Sequence, residues 1–361
     1  MKKILAIVLT LTLMVALAAC GGNNQPAEDT NQTTTTTTTT TIVGDTTAAD
    51  VTTTTETVET TTTEAPTTTE AATTTAAEAP TTTKAPTTTA KVTTTTATPK
   101  NPGNVPKSIK ILSVGNSFSV DAMKNHLYPM LEAAGCTDIR LGILYIGGCS
   151  IDKHYECIRR DTASYEYYEN VNGAWVTTPD YKASTAFALT DWDVVTLQQA
   201  SPDSGRPISY ENLGALIDLM RPQIGDAKLY WHMTWAYQQD SDHSAFPNYN
   251  KDQMRMYRGI VDATKRRIVD NENFVGFFPC GTSIQNLRTS SLGDTLTADG
   301  YHLKDTYGDY TAALTWFCYL TGADAESVAY RPIAIRDHFD EIAESVNNAL
   351  KTPLAVTKCS K

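Results

Sequence analysis

The sequence contains no Cys-x-x-Cys and no His-Glu-x-x-His, so the spacings by which short motifs hold a metal ion are absent. It also lacks a basic patch and any interleaving of basic with aromatic residues. Its 29 Lys and Arg stand against 40 Asp and Glu, a formal net charge of −11. That balance argues against nucleic acid as a partner. From about Asn23 to Pro106 apolar residues are too scarce to bury a core, which excludes a packed fold for that stretch. The apolar run at the start, Ile4 to Ala19, is too short for a comfortable membrane span. Past Cys20 there remain Cys136, Cys149, Cys157, Cys280, Cys318 and Cys359. Their even number permits disulfides in an exported protein, but a domain of this size does not need them.

The N-terminus carries its own message. Met1-Lys2-Lys3 precedes the apolar run, which ends Leu17-Ala18-Ala19-Cys20-Gly21. A short basic region, an apolar segment and small residues read as a signal peptide. A cysteine directly after the small residues resembles the lipobox of bacterial lipoproteins. There the thiol receives a diacylglyceryl group and becomes the new N-terminus, and several acyl chains hold where one would not. The expectation is residues 1–20 as signal peptide and lipobox, with lipidation at Cys20. A cell membrane anchor and an extracytoplasmic location follow. Residues 21–106 are a disordered linker in which threonine runs such as Thr33 to Thr41 alternate with Glu, Ala and Pro. A flexible chain of that length spans roughly 50 Å.

Residues 107–361 suffice for one α/β domain. Apolar, β-branched runs predict strands at Ser108 to Val114, Ile139 to Ile146, Trp192 to Leu197, Lys228 to Thr234 and Phe274 to Pro279. Tyr165 to Pro179 reads as a small hairpin around Asn172-Gly173. Helical spacing covers Asp121 to Ala134, Tyr210 to Arg221, Tyr249 to Asp270, Tyr310 to Leu320 and Ile333 to Leu350. Strands alternating with helices predict a parallel sheet covered on both faces. Ligands of such a sheet sit beyond the carboxyl ends of its strands.

The strand ends carry the chemistry. Gly115-Asn116-Ser117-Phe118-Ser119 follows the first strand and Gly147-Gly148-Cys149-Ser150 the second. Gln198-Gln199-Ala200-Ser201 follows the third, and Asp299-Gly300-Tyr301-His302 stands late in the chain. Together they supply an acyl-transfer set. Ser117 needs a base to become nucleophilic, and His302 can take its proton. Asp299 can hold the other ring nitrogen. Free N–H groups at a strand-to-helix turn, the backbone of Gly148 and an amide from Gln198 or Gln199 can face the oxygen that becomes negative.

These segments resemble the SGNH, or GDSL-like, serine hydrolase superfamily. They are still more similar to a bacterial branch with Gly115-Asn116-Ser117-Phe118-Ser119, Leu197-Gln198-Gln199-Ala200-Ser201, Met233-Thr234-Trp235-Ala236-Tyr237 and Asp299-Gly300-Tyr301-His302-Leu303 segments. The resemblance implies a three-layer α/β/α sandwich with a flavodoxin-like sheet. It implies a Ser117, His302 and Asp299 triad with no metal and no organic cofactor. Two positions depart from the family pattern. Asn116 stands where the first block usually has aspartate, and the third block lacks its usual oxyanion asparagine. The branch places Leu-Gln there, so Gln198 is the expected replacement donor beside Gly148.

His232, Trp235 and Tyr301 are the expected substrate contacts. His126, His154 and His243 read as surface residues, and Arg206 and Asp203 lie near the motifs without a clear role. Cys149 has no base placed to activate it. The expected function is a surface-anchored esterase that removes acetyl groups from polysaccharide. Acylated carbohydrate is then its partner, and its catalytic domain is monomeric. A lipase or thioesterase on longer acyl chains, or a carbohydrate-binding module on the same scaffold, are the alternatives.

Overall fold

The structure is a computed structural model that describes residues 101–360. The signal segment, Cys20 and the threonine runs lie outside the described residues.

Strand β1, Ser108–Gly115, buries Ile109, Ile111, Leu112 and Val114. Helix α1, Ser117–Met123, follows at once, and then α2, Leu127–Ala133. A single helix over 121–134 is the expectation; the chain breaks it in two. Pro129 explains the break, because its ring cannot follow an unbroken helical turn. It is accepted in the first turn of α2, where no N–H is required. Strand β2 is Asp138–Tyr145, and α3 is Ile151–Arg159. The hairpin strands β3, Tyr165–Asn170, and β4, Trp175–Tyr181, come next, then the short helix α4, Ala183–Phe187. The rest of the chain runs β5 (Val194–Leu197), α5 (Leu213–Ile224), β6 (Lys228–His232), α6 (Gln253–Thr264), β7 (Gly276–Phe278), α7 (Cys280–Leu287), α8 (Tyr307–Thr321) and α9 (Phe339–Lys351).

The strands form one seven-stranded sheet in the order β4-β3-β2-β1-β5-β6-β7. β2, β1, β5, β6 and β7 are mutually parallel. Counted alone, they follow the flavodoxin-like order 2-1-3-4-5. The hairpin adds to the edge: β3 runs antiparallel to β2 and β4 antiparallel to β3. The sheet is therefore mixed rather than purely parallel; the short loop between β3 and β4 holds no crossover, so that pair must run antiparallel.

Helices α1, α2, α7, α8 and α9 pack together on one face, and α3, α4 and α5 on the other, with α6 joined to that group through the 3-10 turn Pro207–Tyr210. The fold is thus a three-layer α/β sandwich. Its parallel strands are covered on both sides, so Leu112, Val114, Leu141, Ile143, Val195 and Leu197 have no exposed surface. Trp316 of α8 meets Phe278 of β7 with ring centroids 4.5 Å apart and caps the far end of that core.

Three helices escape the sequence expectation: α3, α4 and α7. Helix α3 carried a signal in Ser150, whose side chain accepts the Lys153 N–H, and in Ile151, His154 and Ile158 on one buried face. Conversely, the expected helix over 249–270 is a 3-10 turn at Phe246–Tyr249, then α6, then a π turn at Lys265–Val269. Similarly, the expected helix over 333–350 opens with a 3-10 turn, Ile333–His338, before α9.

Candidate active site

The reversal of strand order lies between β1 and β5, and the carboxyl ends of these strands meet there. β1 ends at Gly115, where any Cβ would run into Ser119 Oγ. Asn116 then caps α1: its Oδ1 accepts the Phe118 N–H at 3.1 Å. Ser117 is left at the first helical position, where its N–H has no intrahelical acceptor. Its hydroxyl has a different role, donating to His302 Nε2 at 2.8 Å.

His302 is held from the other side. Its Nδ1 lies 2.7 Å from Asp299 Oδ2. Asp299 Oδ1 accepts the backbone N–H of His302 at 2.8 Å and of Tyr301 at 3.1 Å. Burial raises the Asp299 carboxyl, but these donors outweigh it and hold the group below its ordinary value. It therefore stays ionised and fixes the His302 proton on Nδ1, leaving Nε2 free to accept from Ser117. Gly300 makes the tight turn possible at φ +90°, and a Cβ there would meet Ser241. The turn is pinned at its end as well: Leu303 N–H donates to Asp121 Oδ2 at 2.9 Å, from α1.

Gly148 adopts φ +59°, a left-handed conformation that favours glycine. Together with Ser117 it lines a cavity of about 260 Å³, which is also bordered by Ser201, His243, Tyr301 and His302. A larger cavity, about 980 Å³, opens at the amino ends of β1, β5 and β6 and holds none of the triad. Among the described residues no group of three or more His, Cys, Asp or Glu is arranged to hold a metal ion.

Three expected site residues lie elsewhere. Gln198 is 1% exposed and its amide is already committed. Its Nε2 donates to Asn116 Oδ1 at 2.6 Å, and its Oε1 accepts from Ser119 Oγ at 2.5 Å and His232 Nδ1 at 3.0 Å. It does not border the cavity that Ser117 and Gly148 line, so the expected oxyanion role does not fit its placement. Gln199 is equally occupied: its Nε2 donates to Ser209 and its Oε1 accepts from Ile151 and Ala200 N–H. His232 is fully buried as Gln198's partner, and burial lowers its pKa to about 3. Trp235 is also fully buried, stacked on Phe118 at 4.3 Å, and its Nε1 donates to the Tyr301 carbonyl at 2.8 Å. Both lie beneath the site. Of the expected substrate contacts, only Tyr301 borders the cavity.

The buried polar chain has a consequence. Asn116 Nδ2 donates to the Cys149 carbonyl at 3.1 Å, so Asn116 ties the nucleophile turn to the Gly148 turn. Gln198 fixes Asn116 from below. Gln198→Leu removes one buried partner from Asn116 and one from Ser119, and it leaves His232 with none. An orphaned buried group costs roughly 1–3 kcal/mol and each lost hydrogen bond about 1 kcal/mol. The expected outcome is a loss of about 3 kcal/mol of stability in urea denaturation, with a fall in kcat/KM. An unchanged denaturation midpoint contradicts that role.

The remaining histidines also differ from expectation. His126 is buried with Nε2 facing the Asp305 carbonyl at 3.0 Å. His154 is fully buried against Tyr165 OH at 3.1 Å. His243 borders the catalytic cavity, a placement no local motif signalled. Arg206 and Asp203 pair with each other at 2.8 Å. All six described cysteines are free and buried, and burial raises the Cys149 thiol far above its ordinary value.

A search of curated proteins finds no match. A solved DUF4886 family protein from Bacteroides uniformis is 39% identical, with a TM-score of 0.67, covering 70% of this chain and 98% of that one. An acetyl xylan esterase is 16% identical, with a TM-score of 0.39, covering 59% of this chain and 100% of its own. A catalytic mutant of an acetylxylan esterase from Geobacillus stearothermophilus is 12% identical, with a TM-score of 0.37, covering 62% of this chain and 97% of its own. The model of DUF4886, a domain of unknown function, matches residues 110–349, and the chain belongs to that family.

Proposed function

We propose that the chain is a serine esterase of the SGNH type that removes short acyl groups, acetyl foremost, from polysaccharide outside the cell. The hydrogen-bonded series Ser117, His302, Asp299 at the strand-order reversal carries this reading. Ser117 Oγ attacks the ester carbonyl carbon while its proton passes to His302 Nε2. The carbonyl oxygen becomes negative and meets the N–H groups of Ser117 and Gly148. The bond to the alcohol then breaks, and His302 returns its proton to the departing oxygen. Water repeats the sequence in reverse on the acyl-enzyme and frees the acid. Asp299 keeps the ring oriented and stabilises the imidazolium.

The cavity supports a short acyl group. At about 260 Å³ it lies below the ~300–1,000 Å³ common for drug-sized ligands. Lipidation at Cys20 and a threonine-rich spacer belong to the same proposal: they tether the domain at the outer membrane surface within reach of an immobile substrate. The purified chain is expected to hydrolyse p-nitrophenyl acetate with kcat/KM about tenfold or more above that for the octanoate, and to release acetate from acetylated xylan. A rising chain-length series contradicts the short-acyl reading and favours a lipase or thioesterase.

A further inference from the structure

His243 is a second histidine on the wall of the catalytic cavity. Its position is firmly set. The ring centroid lies 4.6 Å from that of Tyr237 and 4.7 Å from that of Tyr301. Tyr301 in turn lies 4.2 Å from the His302 ring. The backbone joins the same frame: Gln238 N–H donates to the Gly300 carbonyl at 2.8 Å, and the Phe246 N–H to the His243 carbonyl at 2.8 Å.

Its tautomer is set as well. The Ala245 N–H points at His243 Nδ1 across 3.1 Å, so Nδ1 accepts. The ring proton must then sit on Nε2. Burial keeps the ring below its ordinary pKa, so at neutral pH it is an uncharged imidazole with one N–H to offer. Among the described residues that Nε2–H has no protein acceptor.

The chemistry tells which part of a substrate it meets. His302 must hand its proton to the departing alkoxide, so the alcohol half of the ester sits on the His302 side. Tyr301 and His243 form the wall beside His302. Building on the esterase reading, we propose that His243 determines specificity by donating Nε2–H to a second oxygen of the alcohol half, a hydroxyl neighbouring the ester oxygen. The preferred substrate class is thus a partly acylated polyol or sugar, with Tyr301 against its carbon face.

The test uses the full chain and two esters that differ by one hydroxyl: trans-2-hydroxycyclohexyl acetate and cyclohexyl acetate. The wild type is expected to favour the hydroxylated ester by about tenfold in kcat/KM, the order of one good hydrogen bond. His243→Phe keeps an aromatic ring but no donor, and should erase that ratio. His243→Gln keeps an N–H and should retain most of it. A ratio unchanged by His243→Phe, or equal losses on both esters, overturns the proposal. A wild type that turns over both esters through Ser117 without preference also overturns it, while leaving the esterase reading intact. Absence of any Ser117-dependent turnover overturns both.

Discussion

Replacing Ser117 by alanine is expected to lower ester turnover by at least ~10³-fold while the fold stays intact. Both halves of that expectation come from the turn after β1. The helix cap is Asn116, not Ser117, so the substitution removes no cap. The Ser117 hydroxyl has His302 Nε2 as its partner, and that nitrogen faces a cavity where water can replace the lost donor. The melting temperature should therefore move by no more than about 2 °C. What disappears is the atom that attacks the carbonyl. Residual turnover is expected from the proposed backbone donors of Ser117 and Gly148, which the substitution leaves in place. A large drop in melting temperature would mean that the turn depends on the hydroxyl, contrary to this account.

Asp309→Asn is expected to raise stability at alkaline pH. Asp309 lies in the first turn of α8 and is 4% exposed. Its Oδ2 accepts from Asn125 Nδ2 at 2.7 Å, while its Oδ1 has no partner. Burial, then the nearby charges of Asp121 and Asp305, raise its pKa from 3.8 to about 9, against the smaller opposing effect of Asn125. Asp121 is itself raised to about 6, chiefly by burial, and accepts the Leu303 N–H beside His302. The sign follows from proton counting. Between the unfolded and folded pKa values the native state holds a proton that the unfolded chain has lost. Stability attributable to Asp309 is therefore full near pH 4 and falls as the pH rises towards 9. Asparagine keeps an acceptor for Asn125 and does not titrate. The variant should melt about 5–10 °C above the wild type at pH 8, with the gap closing near pH 4. A gap independent of pH would show that the gain does not come from Asp309 ionisation.

The sheet was readable because its central strands are buried on both faces and spell nearly continuous apolar runs. The triad was readable from order and spacing: a serine after the first strand, and Asp299 three residues before His302. Elements with weaker patterns were lost. Helix α3 buries a histidine and a cysteine where apolar residues would have betrayed its period. The direction of the Gln198 amide is a rotamer choice, and no spacing rule specifies rotamers. His232 ends β6 and Trp235 lies just past it, where ligand-contacting residues often stand. They are buried because Phe118 of α1 and Trp316 of α8 close over them. His243 is the reverse case: an unremarkable loop residue carried to the cavity by the pairing of its segment with the Asp299–His302 turn.

The most direct measurement is the reaction of the purified chain with a fluorophosphonate, followed by peptide mass spectrometry. An activated serine displaces fluoride and keeps the phosphonyl group on its oxygen. The account predicts one adduct, on Ser117, lost in Ser117→Ala and strongly slowed in His302→Ala. No adduct, or an adduct on another serine at equal rate, would contradict it.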